Sequence, residues 1–382
     1  HFNPHTYEDI KTIADHAHFA GEVRENAHWG PRREGGLISD DTNMMGGGHA
    51  HCGLAIYQSS QFPATYRNQL IFGNLHGHRL VMDELDPKAS TYIGKHGSDF
   101  LRANDLHFIP VSQRVGPDGS LYVSDWADKQ ICHRGSNAVE MWDRSNGRIY
   151  RVSYTTSSDR SDLSDFPTAP FDLSKETDVK LAQLAVQTEN EWFSRMARRV
   201  LMERAVYTKE LETDHVLRTA AANQTIKSLW LRHVIGVSAY YLDKSDAPTQ
   251  KDIREIAALK SDSASVRTSA VRLLASMPLL VTEDPTINAD GWETRSKAFT
   301  GLAQKEASPT VRRELASALQ RLPQNQRKAL AAALLQRAED KDDPMIPLLI
   351  WYGIEPLVGD DAQAGLELAR VSKMPKVTQF IY

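Results

Sequence analysis

The chain has 382 residues, with 45 Lys and Arg against 49 Asp and Glu. This length exceeds one ordinary core and predicts two or three units, at roughly 100 to 200 residues each. The balanced charge argues against binding of nucleic acid or of an acidic membrane face by bulk electrostatics.

The composition changes along the chain. Twelve of the fourteen histidines lie before residue 134, and long stretches of Ala, Leu and Arg occur only after residue 175. The segment Ser157–Pro170 is rich in Ser, Asp and Pro, which is typical of a linker. The sequence therefore predicts a first unit over residues 1–157, a linker over 158–173 and a second unit over 174–382.

Short β-rich runs separated by turns characterise the first unit. The tight-turn sequence Gly116-Pro117-Asp118-Gly119 precedes one of these runs. We expect strands over Leu54–Tyr57, Gln69–Phe72, His78–Asp83, Ser120–Ser124 and Arg148–Tyr154. Hairpins at this spacing fit the blades of a propeller, and the spacing alone equally allows a sandwich.

The second unit has apolar residues at helical spacing. Related Val-Arg signatures begin at Val266 and at Val311, 45 residues apart. This period is in the range of HEAT and armadillo repeats, whose paired helices bury their apolar faces by stacking. The sequence therefore predicts an all-α HEAT/armadillo-like solenoid.

Several motifs carry a resemblance to known proteins. The runs His49-Ala50-His51-Cys52-Gly53-Leu54 and Phe62-Pro63-Ala64-Thr65-Tyr66-Arg67 resemble soluble quinoprotein glucose/sorbosone dehydrogenases. The runs His76–Leu80, Trp142–Arg148 and Pro347–Leu357 are similar to large bacterial membrane-bound dehydrogenases, in which a propeller precedes HEAT repeats and a c-type haem domain.

The resemblance implies a fold and a function. Residues 1–157 would be the C-terminal blades of a six-bladed, quinoprotein dehydrogenase-like β-propeller, and the chain would be a fragment that lacks the first blades and the haem domain. The parent protein would oxidise a sugar or alcohol in the propeller pocket and pass electrons to a cytochrome c domain. A periplasmic or cell-envelope location is the corresponding expectation.

Candidate site residues lie in the first unit. A neutral imidazole accepts a hydroxyl proton at neutral pH, so His49 is the candidate catalytic base. Carboxylate oxygens suit Ca²⁺, and the candidate metal ligands are Asp99, Asp105 and Asp125. A PQQ-like quinone is implied by the resemblance, and its candidate contacts are His51, His76, Arg79, Arg114 and Trp126. The alternative for each of these residues is a structural role in bracing loops, turns or strands.

Two other functions remain open from the sequence. One is a non-catalytic scaffold that binds a polysaccharide or a protein partner, with the helical array as a recognition surface. The other is a Ca²⁺-dependent lactonase-type hydrolase that uses the same His and Asp residues. Cys52 and Cys132 are too few for a disulfide framework, and whether they pair is left open.

Overall fold

A computed structural model describes residues 51–75, 78–103, 105, 107–128, 145–155, 172–205, 225–242, 258–276 and 285–382. These residues divide into two compact units. The sheet unit comprises the described residues of 51–86, 93–155 and 189–193. The helical unit comprises those of 87–92, 172–188 and 194–382.

The first sheet of the described residues has four strands in the order β1-β2-β3-β4. Strands β1 and β2 pair antiparallel, as do β2 and β3. Alternate residues such as Ile71 are fully buried in these strands, as expected where one face of a sheet covers the core. The strands are β1 (His51–Ile56), β2 (Leu70–Asn74), β3 (Arg79–Lys88) and β4 (Thr91–Arg102).

The second sheet has three antiparallel strands, β5 (Pro110–Val115), β6 (Leu121–Asp125) and β7 (Arg148–Val152). The predicted turn between Gly116 and Gly119 is confirmed and joins β5 to β6. The Gly119 N–H donates to the Gly116 carbonyl at 3.0 Å, and Gly119 has a φ of 77°. Glycine adopts this left-handed conformation without the steric cost that a side chain would add.

Strand β5 packs against β1 and β2. The fully buried Gln113 of β5 lies beside Gly53 and Gly73. A Cβ atom at Gly53 would approach the Gln113 Oε1 to 2.2 Å, and one at Gly73 would approach the Pro110 carbonyl oxygen equally closely. The two glycines therefore create the room in which this amide side chain is buried.

The predicted six-bladed propeller is wrong for the part of the chain that the structure describes. Those residues form one four-stranded and one three-stranded sheet, with no closed ring of blades. Turn residues and apolar alternation specify hairpins locally, whereas ring closure depends on contacts between many sheets. The described residues therefore form the predicted hairpins but not the closed propeller that the resemblance implies.

Helices make up the second unit. In the described residues they are α1 (Asp178–Gln187), α2 (Glu191–Glu203), α3 (Ile226–Leu242), α4 (Ala264–Ser276), α5 (Pro285–Ala303), α6 (Pro309–Ala318), α7 (Arg327–Leu335), α8 (Ile346–Asp360), α9 (Ala362–Val371) and α10 (Pro375–Ile381). Helices α4 to α10 share one hydrophobic core, which includes the fully buried Leu274, Leu315 and Ile350. Within the described ranges, no helix is long and apolar enough to cross a membrane.

Two arginines at equivalent positions of the Val-Arg signatures make matching contacts. The Arg267 Nη1 donates to the carbonyls of Ser261 and Asp262, and the Arg312 Nη1 donates to those of Glu306 and Ala307. In each case the acceptors lie six and five residues before the arginine, in the turn that precedes its helix. The same interaction is therefore repeated 45 residues along the chain.

Each of these arginines also forms an ion pair with the following segment. Arg267 contacts both carboxylate oxygens of Glu306 at 2.7 Å, and Arg312 contacts both oxygens of Asp340 at 2.5 and 2.6 Å. All four side chains are largely buried. Planar guanidinium groups favour this two-pronged geometry, so each arginine fixes one segment of the array against the next.

The turn between β3 and β4 belongs to the helical unit. The Ser90 N–H and hydroxyl each donate to Asp343 at 2.9 Å, and Arg313 donates to the Ser90 carbonyl. Asp343 also accepts from the N–H groups of Met345 and Ile346, at the start of α8. One carboxylate therefore caps a helix and binds the turn.

Candidate functional site

Those predicted site residues that the structure describes do not form one cluster. His49, the predicted base, and His76 lie outside the described residues. His51 begins β1, and its ring packs edge-to-face on Phe72 with a centroid distance of 5.1 Å. His51 therefore has a structural contact, and the roles predicted for His49 and His76 stay predictions.

Two of the predicted metal ligands meet at an arginine that the prediction did not include. The Arg148 Nη1 donates to Asp105 at 2.7 Å, and its Nε donates to Asp125 at the same distance. Asp125 is buried, and its other carboxylate oxygen accepts the N–H groups of Ile109 and Ala127. Arg148 therefore joins the loop that precedes β5 to the end of β6.

Hydrogen bonding also affects the ionisation of Asp105. The His107 N–H and the Arg148 guanidinium both donate to the Asp105 carboxylate and lower its pKa. These contacts favour the ionised form, as donors to a carboxylate generally do. Asp105 and Asp125 therefore serve as anionic partners of one arginine.

The remaining predicted residues are distributed over the sheet unit. The buried Arg79 of β3 donates to Asp99 of β4 at 2.9 Å. Arg114 is exposed and donates to the Gln113 carbonyl, and Trp126 is 53% exposed. Asp99 therefore lies in an ion pair separate from the contacts of Arg148.

A calcium ion takes six to eight oxygen ligands. Among the described residues, no group of three or more His, Cys, Asp or Glu side chains could hold a metal. Asp105 and Asp125 use their oxygens for Arg148 and backbone N–H groups. Asp105 and Asp125 therefore do not fit the expected calcium site, and the metal role of Asp99 and the quinone cofactor stay predictions.

The Nδ1 of His78 lies 2.9 Å from the carbonyl oxygen of Phe108, in the loop that precedes β5. Burial lowers the pKa of His78, and the contact with the Phe108 carbonyl and the negative charge of Asp105 oppose that effect only in part. The neutral imidazole is thus favoured at neutral pH. The carbonyl contact supports the alternative in which this histidine braces a loop.

A row of arginines on and directly after α2 has two possible roles, which are binding of an acidic partner and bracing of the helices. Arg198 lies over the Trp230 ring at 5.2 Å, and Arg199 pairs with Glu203 at 2.7 Å. Arg204 pairs with Asp178 and also donates to the carbonyls of Ser174 and Glu176. These contacts support the bracing interpretation for these three arginines.

A groove of about 750 Å³ runs between α5 and the start of α7 in the helical unit. The lining residues of α5 recur every three to four positions from Glu293 to Gly301 and form one stripe on the helix. The lining residues are Glu293, Ser296, Lys297, Thr300, Gly301, Gln304, Asn325, Gln326, Lys328, Ala329 and Ala332.

Small residues form the centre of the groove. Gly301 has open space where a Cβ atom would lie, and Ala329 is exposed. The Thr300 hydroxyl is buried without a hydrogen-bond partner in the described part of the chain. Unpaired buried hydroxyls are uncommon, and this one has no surface exposed to the groove.

Sequence reasoning missed this groove. The available signal was a run of α5 in which small and polar residues recur at helical spacing, from Glu293 to Gln304, where a buried face would be apolar. Which neighbouring helix would face that run depends on tertiary packing. The groove is the candidate binding site of the helical unit.

Comparison with known proteins covers only the first part of the chain. Residues 5–156 match a protein family that is described as a domain of unknown function, DUF7133. No curated protein and no solved structure matches the chain.

Proposed function

We propose that this chain acts as a recognition scaffold in which a HEAT-like helical array binds a protein partner in the groove between α5 and α7. The observation that carries the proposal is the groove itself, an open channel lined by small and polar side chains. Stacked helical repeats commonly present such channels as binding surfaces.

The repeated arginine contacts support the HEAT-like assignment. Arg267 and Arg312 lie 45 residues apart, contact equivalent carbonyls and pair with buried carboxylates. In a solenoid, each repeat contacts its neighbours in the same way, so a recurring contact at a fixed sequence interval is expected. An array braced in this way would hold the two walls of the groove at a constant separation.

The dehydrogenase expected from the resemblance stays a separate prediction, as does the lactonase-type hydrolase. Both depend on His49, which lies outside the described residues, and on aspartates that contact arginines. Reconstitution with a PQQ-like quinone and Ca²⁺, followed by a dye-linked assay on a panel of sugars and alcohols, tests the first. Hydrolysis of lactones without an electron acceptor tests the second.

Selection of displayed random peptides on the purified full chain tests the scaffold proposal. Gly301→Trp should fill the groove and abolish binding of the selected peptides. Gly359→Trp is the matched control, because Gly359 is also an exposed helical glycine with open space at its Cβ, outside the groove. Failure to select any peptide that distinguishes the two variants would overturn the proposal.

A further inference from the structure

Strand β7 lies at an edge of the three-stranded sheet that the described residues form. On one side it pairs with β6, where Leu121 and Val123 are fully buried. Their cross-strand partners on β7 are Val152, which is half-buried, and Tyr150, which is 36% exposed. None of the five residues of β7 is buried, so the buried part of the sheet ends at this strand.

The third strand of the other sheet shows what a further strand does. Strand β3 has β4 along its outer side, and four of its first five residues are buried, among them Leu80 and Val81. Strand β7 has the same place in its own sheet. In the part of the chain that the structure describes, no strand pairs with its outer side. One strand position is therefore open beside β7.

The other sheet edges differ from β7. The backbone groups of an edge strand can pair with another chain, and proteins limit this with bulges, lysine, proline or covering elements. Strand β1 has an irregular register between Cys52 and Ala55 and packs against β5, and β4 is interrupted by Gly94 and Gly97. Strand β7 has a continuous register against β6 and contains no proline, glycine or lysine. Its outer edge is therefore suited to the addition of a strand.

The arginines of β7 do not prevent such pairing. Arg148 donates to two aspartate side chains, and Arg151 lies 3.9 Å from Asp118. Ile149, between them, is 77% exposed. Another strand can therefore cover the isoleucine without burying an unpaired charge.

The sequence of β7 is complementary to itself. When two copies run antiparallel with Tyr150 opposite Tyr150, all five residues are paired, Ile149 lies opposite Arg151, and Arg148 lies opposite Val152. No two arginines face each other, and directly opposed like charges would destabilise the pairing. The two tyrosines form an aromatic cross-strand pair, and the aliphatic side chains cover the arginine stems. The occupant that this edge fits is thus a second copy of β7.

We propose that the chain forms a symmetric dimer in which β7 of one copy pairs antiparallel with β7 of a second copy, centred on Tyr150. The two three-stranded sheets then form one sheet of six strands. Because both copies use the same surface, association stops at two copies. Two five-residue strands give a small interface, in the class below about 1,200 Å² that is typical of weak, reversible association.

Sedimentation equilibrium of the full chain tests the proposal, and a dimer should be present at about 100 µM chain. Ile149→Lys places a lysine opposite Arg151 twice in the dimer, whereas Ile149→Glu places a carboxylate there. The Glu variant should therefore dimerise at least about tenfold more tightly than the Lys variant. Leu54→Lys on β1 is the matched control, since Leu54 is 51% exposed, and it should leave dimerisation unchanged.

A cysteine at the centre of the pairing tests the register. In a chain in which Cys52 and Cys132 are replaced by serine, Tyr150→Cys places two thiols directly opposite each other. Opposed Cβ atoms lie about 4.5 to 5.5 Å apart, close to the distance that a disulfide requires. Mild oxidation should yield a covalent dimer of Tyr150→Cys and none of Leu54→Cys.

A chain that stays monomeric at about 500 µM would overturn the proposal, as would equal dimerisation of the Glu and Lys variants. An extended peptide that binds a monomeric chain and is lost in Ile149→Lys would assign the edge to another occupant and overturn it as well. None of these measurements involves Gly301, so the scaffold proposal stands or fails separately.

Discussion

At the residue scale, the free space around a helical glycine determines whether an added methyl group raises or lowers the stability of the protein. Gly301 and Gly359 face open space, whereas a Cβ atom at Gly353 would lie 2.4 Å from the Leu319 Cβ. The first two glycines leave a surface open, and the third allows α8 to pack closely on Leu319. The same substitution therefore has opposite expected signs at these positions.

We expect Gly301→Ala and Gly359→Ala each to raise the free energy of unfolding by about 0.5 kcal/mol, because alanine loses less backbone entropy in a helix. Gly353→Ala should lower it by about 1 to 3 kcal/mol through overpacking. Urea unfolding followed by circular dichroism measures all three. A stabilised Gly353→Ala would contradict the close packing on Leu319.

A strained residue lies in the turn between β3 and β4. Ala89 has a φ of 50°, in the left-handed region, and the next residue, Ser90, is bound by Asp343. The left-handed conformation costs a residue with a Cβ atom about 1 to 2 kcal/mol. The contacts of Ser90 hold the turn in this geometry.

Ala89→Gly should therefore stabilise the protein by up to about 1 kcal/mol, because relief of strain exceeds the entropy that glycine adds to the unfolded chain. The thermal midpoint of unfolding measures the effect. Ala329→Gly, in the first turn of α7, is the matched control and should cost up to about 1 kcal/mol. Equal destabilisation by both substitutions would contradict the strain at Ala89.

At the element scale, buried arginine pairs join consecutive segments of the helical array. The Arg312 and Asp340 side chains are 4% and 3% exposed, in contrast to the exposed pair of Arg199 with Glu203. Removal of one member of a buried pair leaves an uncompensated charge, whereas removal of both members does not. Loss of one partner therefore costs more stability in the buried pair than in the exposed pair.

Arg312→Met should destabilise the protein by about 3 to 5 kcal/mol, because the Asp340 carboxylate stays buried without its partner. Adding Asp340→Leu should recover most of that loss. Arg199→Met, the exposed control, should change stability by less than about 0.5 kcal/mol. Denaturant unfolding of these three variants and of Asp340→Leu alone measures these differences, and additive effects of Arg312→Met and Asp340→Leu would contradict a coupled pair.

Local sequence signals specified several of these elements. The Gly-Pro-Asp-Gly turn and the strands around Ile71, Leu80 and Val123 followed from turn residues and alternation. Strand β4 was missed because Gly94, Gly97 and several charged residues interrupt its pattern. Strand β5 was missed as well, and it begins with Pro110, a residue that local propensities disfavour in strands.

At the scale of the whole molecule, buried carboxylates link stability to pH. Burial acts to raise the pKa of Glu306, but hydrogen bonds from Arg267 and the Ser308 N–H outweigh it, so that pKa is lowered. Burial also acts to raise the pKa of Asp343, but hydrogen bonds from Ile346, Met345 and Ser90 outweigh it, so that pKa is lowered as well. A carboxylate whose folded pKa lies below its unfolded pKa stabilises the fold above the unfolded value.

The free energy of unfolding should therefore be constant near neutral pH and fall as the pH drops below the ordinary glutamate value of about 4.3, through the lowered folded pKa values. Glu306→Gln should lower stability at pH 7 and flatten the slope between about pH 4 and pH 2. Urea unfolding at a series of pH values measures this dependence. Stability that increases on acidification would contradict the lowered pKa values.

The sequence by itself determined the change from strands to helices, the Gly116 to Gly119 turn and the interval between Arg267 and Arg312, because these depend on residues close together in the chain. It also suggested that the candidate site would lie among the histidines and aspartates of the first unit. Tertiary structure decided that Asp105 and Asp125 are partners of Arg148, that the described sheets do not close into a ring, and that α5 and α7 enclose a groove. These features arise from contacts between segments far apart in the chain, which no local pattern encodes.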